Sequence, residues 1–144
     1  MSEFGDKVQA KCDAFADRVV KLNDYLLSQA ANKKPGFKMV NGKKVYEKPV
    51  TVYLQSVANI CNQLMRAGTS VGANNSEAAS AFSKADYKSK SYIALKEARE
   101  SLYWIELLYR NKYLDDSQYK SIHDDCEELV RILVSRCKKL DSER

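Results

Sequence analysis

Proline and glycine are scarce in this chain of 144 residues, with 2 and 5 occurrences. That scarcity excludes collagen-like, loop-rich and low-complexity architectures. Histidine occurs once, as His123, so neither a bundle di-iron site, which needs Glu-x-x-His on two helices, nor a His-rich zinc site can be assembled. The four cysteines, Cys12, Cys61, Cys126 and Cys137, never stand two residues apart. Zinc-ribbon and redox pairs are thereby excluded, and the thiols read as reduced and mostly buried. No apolar run reaches the ~18 residues that cross a bilayer, and the first residues lack the basic-then-apolar order of a secretion signal. A soluble cytoplasmic protein is expected.

What remains is 44% apolar and 30% charged, a balance that suits a single helical domain spanning 1–144. The net charge of +5 is unevenly placed. Lys33, Lys34, Lys38, Lys43, Lys44 and Lys48 face one acid, Glu47. This segment therefore holds the whole excess, and the other charges cancel. A charge run is usually a solvated face, but its confinement to one segment points to a contact surface for something anionic.

Apolar residues at Val8, Cys12, Phe15, Val19, Leu22 and Leu26 alternate steps of four and three. They predict a helix from about Phe4 to Ala31, stopped before Pro35 and Gly36. Asn41-Gly42 between Phe37–Val40 and Lys43–Tyr46 then predicts a hairpin with a type I′ turn, within a basic arm of about 35–49. Phe37 should lie opposite Tyr46 and Met39 opposite Lys44, on one face. Two strands alone are marginal in water, so the arm should lean on the bundle, a neighbouring subunit or a ligand. An unstructured basic loop is the alternative.

A second stripe, Tyr53, Val57, Ile60, Leu64, Ala67 and Val71, runs into small residues from Ala67 to Ala73. Gly68 and Gly72 weaken a helix there unless another backbone approaches closely, within the bundle or between subunits. A phosphate-cradling loop does not fit, because no Gly-Lys-Ser/Thr follows and no strand precedes. Ser83 with Asp86 reads as the cap of a third helix carrying Ser91, Leu95, Ala98, Leu102, Ile105 and Tyr109. Asn111 reads as its stop, and Asp115 or Asp116 as the cap of a fourth helix carrying Tyr119, Ile122, Cys126, Leu129, Leu133, Cys137 and Leu140. The expected fold is all-α, an up-and-down four-helix bundle with a short β-hairpin between helices one and two.

Catalysis is hard to assemble from these residues. Glu97 and Glu100 read as solvent-facing partners of Lys96, Arg99 or a neighbouring helix. His123 and Cys126 offer two metal ligands and no third. No enzyme activity, metal or cofactor is expected. Tyr103, Trp104 and Tyr109, near Arg99 and Arg110, suit a core, a subunit interface or base stacking.

Several stretches together carry a family resemblance: Gln63-Leu-Met-Arg-Ala-Gly-Thr-Ser-Val-Gly-Ala-Asn74 with Glu77-Ala78, Ser83-Lys-Ala-Asp-Tyr87, Ile93-Ala-Leu-Lys-Glu-Ala-Arg-Glu100 with Tyr103-Trp104, and Asp125-Cys-Glu-Glu-Leu129. The chain resembles the four-helix-bundle proteins encoded in intervening sequences of 23S ribosomal RNA genes, a family that includes the accessory variability determinant of diversity-generating retroelements. The resemblance implies a cyclic homopentamer with a basic surface and no known catalysis, and in retroelements a partner of the reverse transcriptase and its template RNA. Asn75 departs from it, standing where an aliphatic residue is usual, and the basic arm is longer than the expected link. The resulting expectation is an oligomeric RNA- or DNA-backbone-binding accessory protein without a membrane role. Lys38, Lys43 and Lys44 lead its contacts, with Lys33, Lys34, Lys48, Arg66, Lys84, Lys88 and Arg99 behind them, and Gly68, Gly72, Asn74, Tyr103 and Trp104 form an oligomer or packing seam. The competing expectation is a protein-interaction scaffold with no nucleic-acid role.

Overall fold

Helix-favouring sequence with apolar residues every three or four positions yields four long helices: α1 (Glu3–Asn32), α2 (Val50–Ala79), α3 (Lys84–Arg110) and α4 (Asp116–Ser142), with strands β1 (Phe37–Val40) and β2 (Lys43–Tyr46) between the first two. The computed structural model describes residues 3–34, 36–46 and 50–143, the side chains of 50 and 51 excepted. Pro35, Glu47, Lys48 and Pro49, which the sequence reading used as arm boundaries and charges, lie outside the described residues. No helix is long and apolar enough to cross a membrane among the described residues.

Consecutive helices pack side by side, α1 on α2, α2 on α3 and α3 on α4, and α1 and α4 close the bundle along the slightest interface. Ion pairs cross that last seam. Lys11 reaches Glu128 at 2.8 Å, and Arg18 pairs with Asp125 while donating to Ser121 Oγ at 2.8 Å. The core is the set of predicted stripes, with Phe15, Leu64, Ile105, Leu129 and Leu133 fully buried. Tyr53, Leu22, Ile60, Leu102 and Tyr109 sit at its margin, half-buried, and Cys61, Ala94 and Leu108 take fully buried places that the stripes did not assign.

The ends of the helices follow from local chemistry. Ser83 Oγ accepts from the Asp86 amide at 3.0 Å. Asp115 forms a reciprocal box with Gln118, each side chain accepting the other's amide, at 2.7 and 3.0 Å. These bonds satisfy amides that the first helical turn leaves without partners. Lys112, with φ of 63°, turns the chain between α3 and α4, and its neighbour Tyr113 donates back to the Leu108 carbonyl at 2.9 Å.

The hairpin has the expected register, Phe37 opposite Tyr46 and Met39 opposite Lys44. Its turn uses positive φ at both Asn41 (51°) and Gly42 (77°), the geometry that a type I′ turn demands. Phe37 and Tyr46 touch edge to face, 6.2 Å between ring centres. Among the described residues no helix packs against the hairpin, and all eight strand residues are exposed. Of the supports that the sequence suggested for the arm, packing of a helix on its strands is not found among the described residues.

Candidate nucleic-acid interface

The arm projects three lysines from a ribbon that contains no acid. Strand alternation puts Lys44 on the face with Phe37, Met39 and Tyr46, and Lys38 and Lys43 on the opposite face with Val40 and Val45. Both faces are thus basic and apolar at once. Lys44 Nζ stands 4.3 Å from the centre of the Phe37 ring, a cation–π contact that holds the ammonium near the ribbon. At the base of the arm Lys33 turns inward instead, its Nζ 4.0 Å from the centre of the Tyr53 ring, which packs in turn on Tyr113. Lys34 is exposed.

The bundle cations expected to assist divide into two groups. Arg66 bridges to Glu100 and, at 3.4 Å, to Glu97, and Lys88 pairs with Asp141 at 2.7 Å. Hydrogen bonding and charge from Glu100 raise the Arg66 pKa further. The hydrogen bonds from Trp104 and Arg66 hold the Glu100 carboxyl below its ordinary value. Arg66 and Lys88 are thus compensated within the bundle, where the sequence had counted them as available cations. Lys84 and Arg99 are exposed and form no ion pair among the described residues. Glu97 and Glu100 meet a neighbouring helix through Arg66, one of the alternatives posed for them.

The aromatic cluster of helix three comes apart in three dimensions. Six residues turn an α-helix through well over one and a half revolutions, which sends Tyr109 away from Tyr103. Trp104 contacts Tyr103 edge to face at 4.9 Å and donates Nε1–H to Glu100 at 3.1 Å. Tyr109 instead stacks on Tyr119 of α4, 4.0 Å between centres, and donates to Asp116 at 2.7 Å. Tyr103 stays exposed. The glycine seam belongs to the α1–α2 contact within one chain: Gly68 lies against Val19 and Phe15, Gly72 against Cys12 and Asp13. Asn74 is half-buried and donates to the Ser70 carbonyl at 2.8 Å.

All four cysteines are free and buried. Burial pushes the thiols of Cys12 and Cys61 up to about 11 and that of Cys126 up to about 12. Cys126 donates to the Ala98 carbonyl at 3.3 Å inside the core, so it cannot share a metal with His123. His123 stands instead beside Glu106 (3.9 Å) and Asp124 (3.8 Å), and its ligand atoms fall within 4.8 Å of those of Asp124 and Glu127, which are exposed to or bordering solvent. Thiolates are the reactive form. Native protein at pH 8 should therefore leave all four thiols unmodified by a soluble alkylating reagent and expose four on denaturation; rapid alkylation of the folded chain, read by mass spectrometry, would contradict this.

Sequence reasoning missed one site. Gln9, Asn75, Tyr87, Lys84 and Arg136 line a cavity of about 500 Å³ at the end of the bundle away from the arm. They come from all four helices, and no local spacing connects them.

The architecture defines a class: a four-helix bundle that carries a basic β-hairpin outside its packed core. Residues 40–135 match the family of the 23S rRNA-intervening sequence protein, and the chain belongs to that family. A solved structure from Bacteroides thetaiotaomicron VPI-5482, described as a protein of unknown function from the S23 ribosomal protein family, is similar at 35% identity and a TM-score of 0.73, over 93% of this chain and 97% of that one. No curated protein matches the chain.

Proposed function

We propose that the protein is a non-enzymatic, oligomeric nucleic-acid-binding accessory factor of the cytoplasm, serving a diversity-generating retroelement by binding its reverse transcriptase and template RNA. The observation that carries this reading is the arm: an exposed ribbon on which no helix packs among the described residues, lying in the segment that concentrates the net positive charge of the chain. Lysines on both faces allow it to enter a groove or lie between strands and meet phosphates on either side. Exposed Phe37 and Tyr46, 48% and 57% accessible, supply ring faces on which unpaired bases stack. Family membership supports the retroelement role and the cyclic homopentamer, in which five arms would act together and multiply the charge of each chain.

Salt-dependent binding tests the reading. Purified protein titrated into a structured RNA and an equal-length DNA duplex should bind with log affinity falling linearly against log salt, and light scattering in the same buffers should give the mass of a pentamer. Absence of binding to both at low salt would overturn it. That result would favour the second reading, a protein scaffold, for which the apolar side chains of the arm speak: Phe37, Met39, Val40, Val45 and Tyr46 are all exposed and would suit a protein partner equally well.

A further inference from the structure

Three side chains from three helices form one hydrogen-bonded chain. Gln9 of α1 donates Nε2–H to Asp13 Oδ1 (2.8 Å) and to the Gly72 carbonyl (3.2 Å), and its Oε1 accepts from Asn75 Nδ2 of α2 at 2.7 Å. Asn75 Oδ1 in turn accepts from an N–H of Arg136 on α4 at 2.7 Å. Asn75 is only 5% exposed. A buried amide is costly unless bonded, and here both ends are engaged, Nδ2 by Gln9 and Oδ1 by the Arg136 guanidinium that it fixes. Arg136 is further placed by the Tyr87 ring, 5.9 Å from its central carbon. The guanidinium forms no ion pair among the described residues and makes a single hydrogen bond there, of the five N–H donors that the group possesses.

Space opens beside this oriented cation. The cavity of about 500 Å³ is lined by Gln9, Asn75, Lys84, Tyr87, Arg136 and Glu143. A second, of about 600 Å³, shares Tyr87, Arg136 and Glu143 and adds Arg131 and Lys139. Among the described residues the joint cleft is lined by four cations against one acid. We propose that this cleft binds a phosphate monoester, with Arg136 as the anchor, Lys84 as the second cation and Tyr87 as a hydroxyl donor. A dianionic phosphate carries three terminal oxygens and can accept from a guanidinium fork, an ammonium and a phenol together, where a carboxylate has two oxygens to offer. The volume suits a mononucleotide. The site is separate from the arm, which leaves the bundle at the other end, so it stands or falls independently of the proposed function.

Calorimetric titration of the full chain with AMP, inorganic phosphate and adenosine tests the assignment. AMP and phosphate are expected to bind and adenosine not to, and Arg136→Gln should weaken AMP binding about tenfold or more, the usual effect of losing hydrogen bonds to a charged group. Asn75→Leu should weaken it in the same direction without lowering the melting temperature, because it removes the orienting amide and leaves an apolar core contact. Should Arg136→Gln fail to fold, Lys84→Gln at an exposed position provides the second reading of the same loss. No binding by the native chain, equal binding of AMP and adenosine, or unchanged affinity in the folded variants would overturn the site. A 5′-phosphorylated oligonucleotide binding more tightly than its 5′-hydroxyl twin identifies a nucleic-acid end as the source. AMP binding without that preference identifies a free nucleotide, and both uphold the phosphate site.

Discussion

Alanine at Lys38, Lys43 and Lys44 together is expected to weaken RNA binding by about a hundredfold or more near 0.1 M salt and to make the slope of log affinity against log salt shallower by about 2 to 3 for each arm engaged. The size follows from counterion release: each lysine that neutralises one phosphate contributes a little under one unit of slope. The ribbon that carries them packs against no helix among the described residues, so the melting temperature of the bundle should not move. Arginine at the same three positions should retain both affinity and slope, since charge rather than side-chain shape is being read. If the alanine variant binds with native affinity and slope, the arm is not the nucleic-acid contact.

The second large effect is one of stability. A Cβ at Gly68 would stand 3.0 and 3.3 Å from the two methyl carbons of Val19 and 3.5 Å from the ring of Phe15. Both neighbours are 1% exposed and packed on all sides, so neither can yield cheaply. Gly68→Leu should accordingly destabilise the bundle by about 3 kcal/mol, at the upper end of overpacking effects, and lower the melting temperature by about 6–12 °C. Gly72 has its nearest neighbours at 3.4 Å, ordinary contact distance. Gly72→Ala should be neutral or stabilising by up to about 1 kcal/mol, because alanine is the better helix former. Calorimetric melting of the two variants decides the matter. Equal shifts in the two variants, or an unchanged melting temperature in Gly68→Leu, would mean that Gly68 is not the tighter of the two contacts.

Much of the fold was legible because the signals that set it are local. Asn41-Gly42 set the turn, and with it the register that pairs Phe37 with Tyr46. Ser83 and Asp115 marked two helix starts through bonds that reach only three residues. The stripes from Val8 to Leu26 and from Ile122 to Cys137 named the core because a helix returns to one face every three or four residues. At the margins the same rule blurs. The stripes named Ile60 and Leu102, where burial falls one residue away, on Cys61 and Ser101, since the period of 3.6 drifts along helices of 30 and 27 residues.

Residue spacing was a poorer guide to the candidate sites. It placed Lys38, Lys43 and Lys44 on a two-stranded hairpin and assigned their faces, because those follow from strand alternation. It grouped Tyr109 with Trp104, where α4 draws Tyr109 onto Tyr119 instead. It counted Arg66 as an available cation, although α3 brings Glu97 and Glu100 against it. It noted Asn75 as a departure and had no means of finding Gln9, 66 positions away, or Arg136, 61 positions away.

The sequence by itself determined the helices, their caps, the hairpin and the segment in which the charge excess lies, all of them outcomes of interactions spanning a few residues or of composition alone. Tertiary structure decided which cations are compensated, that the glycine seam joins α1 to α2, and that a guanidinium from the fourth helix is held over a cleft by an amide of the second. Those outcomes depend on which helix faces meet, and that choice is made by packing the whole bundle at once rather than by any one stretch of it.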